Sequence, residues 1–471
     1  MGSGQVTDWQ GKHVTVAGLG VSGVPAAKVL RGLGAEVTVV NDGDDDRARA
    51  QAEELRELGV TVRLGDGATL PEGTGLVVTA PGWQPDKPLF TAARAAGVEI
   101  WGDVELAWRL RGPDAPPWLC VTGTNGKTTT TQMLASILTA AGLRTAAVGN
   151  IGVSLLDAVN GDYDVLAVEL SSYQLHWAPS LRAHSAAVLN LAPDHLDWHG
   201  SMEAYAADKG RVYEGNRVAC VYNAADKATE DLVREADVEE GCRAIGFTLG
   251  TPGPSQLGVV EGILVDRAFV ENRQQNAQEL AEVADVNPPA PHNIANALAA
   301  AALARAYGVP AKAVRDGLRA FTPDAHRIAH VADVAGVSYV DDSKATNTHA
   351  AQASLAAYES VVWIAGGLAK GAAFDELVAG SAERLRGVVL FGADRALIRE
   401  ALARHAPQVP VVDLDRTDTG AMLQAVREAQ RLATEGDTVL LAPACASMDM
   451  FTNYNQRGDA FAQAVRELAG T

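Results

Sequence analysis

The sequence predicts an α/β protein of three domains: an N-terminal Rossmann-like domain, a central P-loop-type domain on a mostly parallel sheet, and a C-terminal doubly wound Rossmann-like domain. Three observations carry this. Short apolar runs alternate with helical stretches along the chain, the pattern of parallel sheets. Two such runs lead into glycine-rich turns, Gly18-Leu-Gly20-Val-Ser-Gly23 and Gly123-Thr-Asn-Gly-Lys-Thr-Thr129. The length is 471 residues, and at about 150 residues per domain it holds roughly three cores.

The elements follow in order. His13 to Ala17 reads as a strand, the first glycine turn leads into a helix to Gly32, and Glu36 to Val40 is a second strand ending at Asn41-Asp42. Leu76 to Ala80 is a further short strand before Pro81-Gly82. Pro113-Asp-Ala-Pro-Pro117 cannot donate to a ladder and favours an extended linker, so the first domain is expected at 1–115. Trp118 to Thr122 opens the second, with a helix after the glycine turn to about Ala141 and Gly142 as its stop. Strand-like runs recur at Val165 to Val168 and Ala186 to Leu189. Asp226 to Pro291 reads as polar and irregular. Helices over Asn293 to Tyr307 and on to about Ala320 close this domain at 116–323. The third, 324–471, shows five strand-like runs: Val337 to Val340, Val361 to Ala365, Val388 to Phe391, Val411 to Leu414 and Val439 to Leu441. With helices between them they fit another doubly wound sheet.

Composition narrows the function. Hydrophobic residues make up 47% and charged residues 21%, a globular composition. The net charge of −19 opposes nucleic-acid phosphates, so no nucleic-acid partner is expected. A small anion remains compatible, because local cations and backbone dipoles set the local field. No run reaches the roughly 18 apolar residues of a span, and Met1 to Gln10 has no basic start before an apolar run. No membrane insertion and a cytoplasmic location are therefore expected. Cys120, Cys220, Cys242 and Cys445 are widely spaced with no C-x-x-C pair, which suits reduced, mostly buried thiols. Arg outnumbers Lys 30 to 9, so each lysine retained asks for a reason.

The motifs differ in sharpness. The first glycine turn, with Asp42 ending the next strand, fits a dinucleotide fold or another nucleotide site. The second is a shortened P-loop: its backbone N–H groups form a nest for phosphate oxygens, Lys127 would neutralise the β- and γ-phosphates, and the Thr128 hydroxyl would ligate Mg²⁺. Glu169 and the Asp194-His195-Leu-Asp197 run each follow a strand, which puts a carboxylate and an imidazole on the same sheet edge, where open α/β sheets bind ligands. Residue type alone gives Lys209 a solvated helix face. Asp341-Asp342-Ser343-Lys344-Ala345-Thr346-Asn347 and Gly366-Gly367-Leu368-Ala369-Lys370 occupy post-strand loops, which are ordinary loops or site loops.

Together these motifs resemble the Mur ligase family. The shared runs are the P-loop, Gly149-Asn150-Ile-Gly152, Glu169-Leu-Ser-Ser172, Asp194-His195-Leu-Asp197, His292-Asn293 with Asn296, and His326-Arg327. Asp342 to Asn347 and Ala442 to Asp449, continuing to Phe461, resemble the D-glutamate-adding branch. The resemblance implies an ATP-dependent ligase that joins D-glutamate to UDP-N-acetylmuramoyl-L-alanine through an acyl phosphate in peptidoglycan precursor synthesis, and a monomer.

It also implies roles. Gly123, Thr124, Asn125, Gly126, Lys127, Thr128 and Thr129, with Asn296, Arg327 and Asp342, would bind ATP. Thr128 and Glu169 would hold one Mg²⁺, while His195 and a carbamylated Lys209 would hold a second, which reverses the solvated reading of that lysine. Asn150 and His195 would position the muramoyl substrate, and Lys344 would lie beside the phosphates. Thr346, Lys370, Ser447 and Tyr454 would bind D-glutamate. Gly20, Val21, Ser22 and Asp42 would receive the uridine diphosphate, with Gly82 near the uracil. Lys127, Lys209, Lys344 and Lys370 thus take four of the nine lysines. This chain departs from the family at Asp42-Gly43-Asp44, at Trp198 where Arg is common, at Leu368-Ala369, and at Tyr454 where Phe is common. A folylpolyglutamate-type ligase, which would lack the first domain, and a non-catalytic nucleotide-sensing module are the alternatives.

Overall fold

The computed structural model describes residues 8–416, 418 and 420–470. The chain forms two compact units, one of residues up to Val286 with Ile294–Phe321, the other of Asn287–Asn293 with the chain from Thr322 onward.

The first unit holds two sheets. Strands β1 (His13–Ala17), β2 (Glu36–Asn41), β3 (Thr61–Leu64), β4 (Leu76–Thr79) and β5 (Glu99–Gly102) form a parallel sheet in the order β3-β2-β1-β4-β5. The order reverses at β1, and there the first glycine turn leaves the sheet. β1 and β4 are apolar and buried over almost their whole length, as expected of strands covered on both faces.

The second sheet contains β6 (Trp118–Thr122), β7 (Ala147–Gly149), β8 (Leu166–Glu169), β9 (Ser185–Val188), β10 (Ala219–Asn223), β11 (Arg243–Phe247), β12 (Gln256–Val260), β13 (Ile263–Asp266) and β14 (Gln278–Glu282). Their order is β14-β13-β12-β11-β10-β9-β6-β8-β7. Only the β12-β13-β14 end is antiparallel. The stretch expected to be irregular, Asp226 to Pro291, therefore carries β11 to β14 and the helix Lys227–Glu235. These strands are short and mix polar residues with the apolar set of Ile245, Phe247, Leu257 and Leu264 that faces in, which masks it. The two sheets share one apolar cluster, in which Trp118 and Cys120 join Val14, Val16 and Trp101. Trp108 meets Trp118 edge to face at 5.1 Å.

In the second unit β15 (Ala329–Val334), β16 (Val337–Asp341), β17 (Val361–Gly366), β18 (Leu385–Phe391), β19 (Val411–Asp413) and β20 (Thr438–Leu441) order as β15-β16-β20-β17-β18-β19. The five expected strands are parallel. The sequence reading missed β15, an antiparallel edge strand whose residues are intermediate or exposed. Among the described residues no helix is long and apolar enough to cross a membrane.

Candidate active site

Strand register brings the central motifs together. Val121 pairs with Glu169 and Thr122 with Val188, so the segments after β6, β8 and β9 emerge side by side. The glycine turn after β6 is held by Asn190, whose Oδ1 accepts from Asn125 N at 2.9 Å and whose Nδ2 donates to Asn125 O at 3.1 Å. Thr124 Oγ1 donates to Ala192 O at 3.1 Å. Gly126 has φ +83°, and a Cβ there would collide with the Asn296 side chain. Only glycine combines that backbone with that neighbour. The helix Lys127–Ala140 then starts without a capping side chain, so its first-turn N–H groups and dipole suit an anion.

Two lysines converge on this turn. Lys127 Nζ donates to Gly123 O at 2.9 Å and Thr124 O at 2.8 Å, and Lys209 Nζ donates to Gly123 O at 2.9 Å. Lys209 is 1% exposed, so the solvated reading from residue type is wrong and the reading from family resemblance agrees with its burial. Desolvation, and next the charge of Lys127, push its pKa well below the ordinary lysine value.

Glu169, the last residue of β8, is 1% exposed. Its Oε1 accepts from Asn150 Nδ2 at 2.8 Å, and its carbonyl accepts from Asn150 N at 3.0 Å. Its Oε2 is buried with no hydrogen-bond partner. An orphaned carboxylate oxygen suits a hard cation. His195 sits at φ +54° ahead of the short helix Leu196–His199, its ring 4.9 Å from that of Tyr173. Burial lowers its pKa, as do Lys127 and Lys209, while Asp194 opposes them. Thr128 is half-buried and Thr129 buried. Among the described residues no three of His, Cys, Asp and Glu gather as a metal cluster. Mg²⁺ bound with nucleotide commonly takes one or two protein ligands, the rest being phosphate oxygens and water.

Around the first sheet, Gly20 and Ser22 flank Val21, which is 85% exposed. Ser22 Oγ donates to Asp103 Oδ2 at 2.9 Å, and Gln174 Nε2 reaches the same oxygen at 3.4 Å. Asp42 pairs with Lys87, whose ammonium lies 4.7 Å from the Trp83 ring centre. Gly82 O accepts from Trp198 Nε1 at 3.3 Å, so Trp198, a departure from the family pattern, ties that loop to the central sheet.

In the second unit Asp342 is buried, accepting from Ser354 Oγ and from Ile328 N, and burial pushes its pKa up to about 6. Arg327 acts on it electrostatically. Lys344 Nζ stands 4.1 Å from the Tyr454 ring centre. Thr346 N donates to Lys344 O at 2.8 Å. Lys370 has φ +51°, just after the bridge between Leu368 and Ala446, and Ser447 is buried. Sequence reasoning gave no separate role to Arg457. It is fully buried, donating to Ser343 Oγ at 3.0 Å, Ser343 O at 2.8 Å and Cys445 O at 3.0 Å, and so joins the loops after β16 and β20. Asn190, Asp208 and His199 were also missed. No motif marks them, because their partners lie far away in sequence.

The chain is 86% identical to the UDP-N-acetylmuramoylalanine–D-glutamate ligase of Streptomyces avermitilis, over 98% of this chain and 100% of that one. The chain belongs to the Mur ligase family. The ligase of the same name from Thermobifida fusca is 61% identical over 98% of this chain and 99% of its own. Residues 121–304 match the Mur ligase middle domain and 326–445 the Mur ligase glutamate ligase domain, while 13–79 match a pyridine nucleotide-disulphide oxidoreductase model. That last match covers the β1 glycine turn and strands β1 to β4, and leaves the P-loop outside. Among solved structures, the UDP-N-acetylmuramate-alanine ligase of Thermotoga maritima shares the Mur ligase fold at TM-score 0.56 and 17% identity, covering 98% of this chain and all of that one. MurF from Acinetobacter baumannii does so at 0.57 and 15%, covering 96% and 91%.

Proposed function

We propose that this Mur ligase uses ATP and Mg²⁺ to join D-glutamate to UDP-N-acetylmuramoyl-L-alanine, forming an amide bond in peptidoglycan precursor synthesis in the cytoplasm. The identity of 86% over essentially the whole length to a ligase bearing that name carries the reading. A carboxylate is a poor electrophile. In the reaction its oxygen takes the γ-phosphoryl group of ATP, the amine of D-glutamate attacks the resulting acyl carbonyl, and the tetrahedral intermediate expels phosphate.

The chain's residues serve each stage. Two anions must meet before phosphoryl transfer, and Lys127 with the first-turn N–H groups offsets their repulsion and steadies charge on the transferring oxygens. Gly123 to Thr129, Asn296, Arg327 and Asp342 bind the nucleotide. Asn150, oriented by Glu169, and His195 position the muramoyl substrate. Thr346, Lys370, Ser447 and Tyr454 take the two carboxylates of D-glutamate, with Lys344 beside the phosphates. Gly20, Val21, Ser22, Asp42 and Gly82 receive the uridine diphosphate.

Thr128 with Glu169 would hold one Mg²⁺ and His195 with Lys209 a second. Bound there, the ions would withdraw charge from phosphoryl and carboxylate oxygens. Lys209 fits this role as a carbamate. Its depressed pKa favours the neutral amine, which adds to CO₂ with formation of an N–C bond and loss of one proton, replacing a cation by an anionic oxygen ligand.

The test is phosphate release from ATP in the presence of UDP-N-acetylmuramoyl-L-alanine, with and without D-glutamate. Release that requires both substrates supports the reading. Release with a folate and L-glutamate instead supports a folylpolyglutamate-type ligase, and no release with either set supports a nucleotide-sensing module.

A further inference from the structure

One hydrogen-bonded chain, from Ser172 through His199 and Asp208 to His176, runs beside three of the residues proposed for the metal side of the site. Asp208 precedes Lys209 on the helix Met202–Gly210 and is 6% exposed. Its carboxylate accepts from His176 Nδ1 at 2.9 Å and from His199 Nδ1 at 3.0 Å, and Arg211 Nε lies 3.2 Å from its other oxygen. A carboxylate only accepts, so both imidazoles direct an Nδ1–H at it. The far nitrogen of His199, Nε2, meets Ser172 Oγ at 3.0 Å.

The geometry around His199 leaves it little freedom. Its side chain is 0% exposed. The ring stacks on Tyr173 at 5.5 Å and 8°, and Tyr205 packs against it at 5.1 Å. Ser172 opens the helix Ser172–His176, three residues after Glu169, and His176 lies one turn further along the same face. His199 ends the helix that His195 precedes, and its own N–H donates to His195 O at 3.1 Å.

The three proposed ligands thus come from separate segments: Glu169 from the end of β8, His195 from the loop after β9, and Lys209 from the following helix. His199 touches a neighbour of each, namely Ser172 beside Glu169, its own short helix behind His195, and Asp208 beside Lys209. A rigid ring with nitrogens on opposite sides fixes the spacing of two of them at once.

We infer that His199, held between Asp208 and Ser172, is a positioning residue that sets the separation of Glu169, His195 and Lys209 for Mg²⁺. This rests on the function proposed above. Groups that orient metal-binding side chains commonly change metal affinity or activity by about 10–100-fold when removed.

The test compares wild type with Ser172→Ala and His199→Asn in four measurements. These are thermal unfolding, kcat and KM, Mg²⁺ titration in the presence of a non-hydrolysable ATP analogue, and ¹³C NMR of protein equilibrated with ¹³CO₂ for a carbamate on Lys209. Expected are a near-wild-type unfolding midpoint and KM for D-glutamate, Mg²⁺ affinity weaker by about tenfold or more with kcat falling in step, and a diminished carbamate signal. Wild-type Mg²⁺ affinity and carbamate signal in both variants would overturn the inference. Should His199→Asn fail to fold, Ser172→Ala, which removes only one hydroxyl, decides alone. Wild-type protein that takes up no Mg²⁺-nucleotide overturns the functional reading and this inference with it. Uptake by wild type that both variants match overturns only the positioning role.

Discussion

Lys127 and Lys209 share one acceptor: both side-chain nitrogens lie 2.9 Å from the carbonyl oxygen of Gly123. The two lysines are nevertheless unlike. Lys127 is half-buried at the first residue of its helix, where a phosphate can reach it. Lys209 is sealed, and its depressed pKa favours an amine that can react with CO₂. One turn of backbone thereby accepts from two unlike lysines, and a separate prediction follows for each.

Replacing Lys127 by alanine should abolish turnover and change unfolding free energy by less than about 1 kcal/mol, because its bonds are to carbonyls at the rim of the turn. Phosphate-release assays and urea denaturation on the same preparation measure both. Retained turnover contradicts the role given to this residue.

Lys209→Ala should lose at least about tenfold in turnover and regain part of it with added formate or acetate, which restores an anionic oxygen in the vacated space. Wild-type protein should also lose activity in CO₂-depleted buffer and recover on adding bicarbonate. A variant that no short carboxylate improves, together with indifference to CO₂, contradicts carbamylation.

Asp342 gives a pH dependence of stability. Burial raises its pKa to about 6 in the folded chain, against roughly 3.9 when unfolded. Between those values the native state binds more protons than the unfolded one, so stability falls as pH rises through the window and stays reduced above it. The cost at neutral pH is on the order of 3 kcal/mol. Asp342→Asn should flatten the slope between pH 4 and 6, taken roughly from those two values, and raise the unfolding midpoint at neutral pH. Thermal scans across that range check it, and an unchanged slope contradicts it.

Arg457 should be the costliest single truncation in the second unit. Arg457→Met strands the acceptors Ser343 Oγ, Ser343 O and Cys445 O, each worth about 1–3 kcal/mol when buried and unpaired. Chemical denaturation should show a loss of at least about 3 kcal/mol. Arg457→Lys, with a point charge in place of a planar fork, should recover only part of it.

The sequence made the parallel scaffold legible wherever a strand is buried on both faces. β6 and β17 are near-continuous apolar runs, and β1 is buried from Val14 to Ala17; each ends at a glycine turn, so runs and turns appear together in the chain. It concealed what tertiary contacts decide. β3 and β15 are edge strands with exposed polar positions, and alternation over so few residues carries little signal. Lys209 and Asp208 lie on the buried face of a helix whose hydropathy would turn them outward; the carbonyl of Gly123 and the Tyr205 ring for Lys209, and His176, His199 and Arg211 for Asp208, explain their burial. The residues proposed for the metal side were picked out by loop motifs, whereas the hydrogen-bond partners around Asp208, separated by up to 32 residues in the Asp208–His176 pair, carried no local pattern.

The most direct test of the central claim is the fate of the carboxylate oxygen. UDP-N-acetylmuramoyl-L-alanine labelled with ¹⁸O in its terminal carboxylate is converted with ATP and D-glutamate, and the released phosphate is examined by mass spectrometry. Transfer of the γ-phosphoryl group to that carboxylate predicts one ¹⁸O in every phosphate formed. Unlabelled phosphate accompanying amide formation would contradict the account.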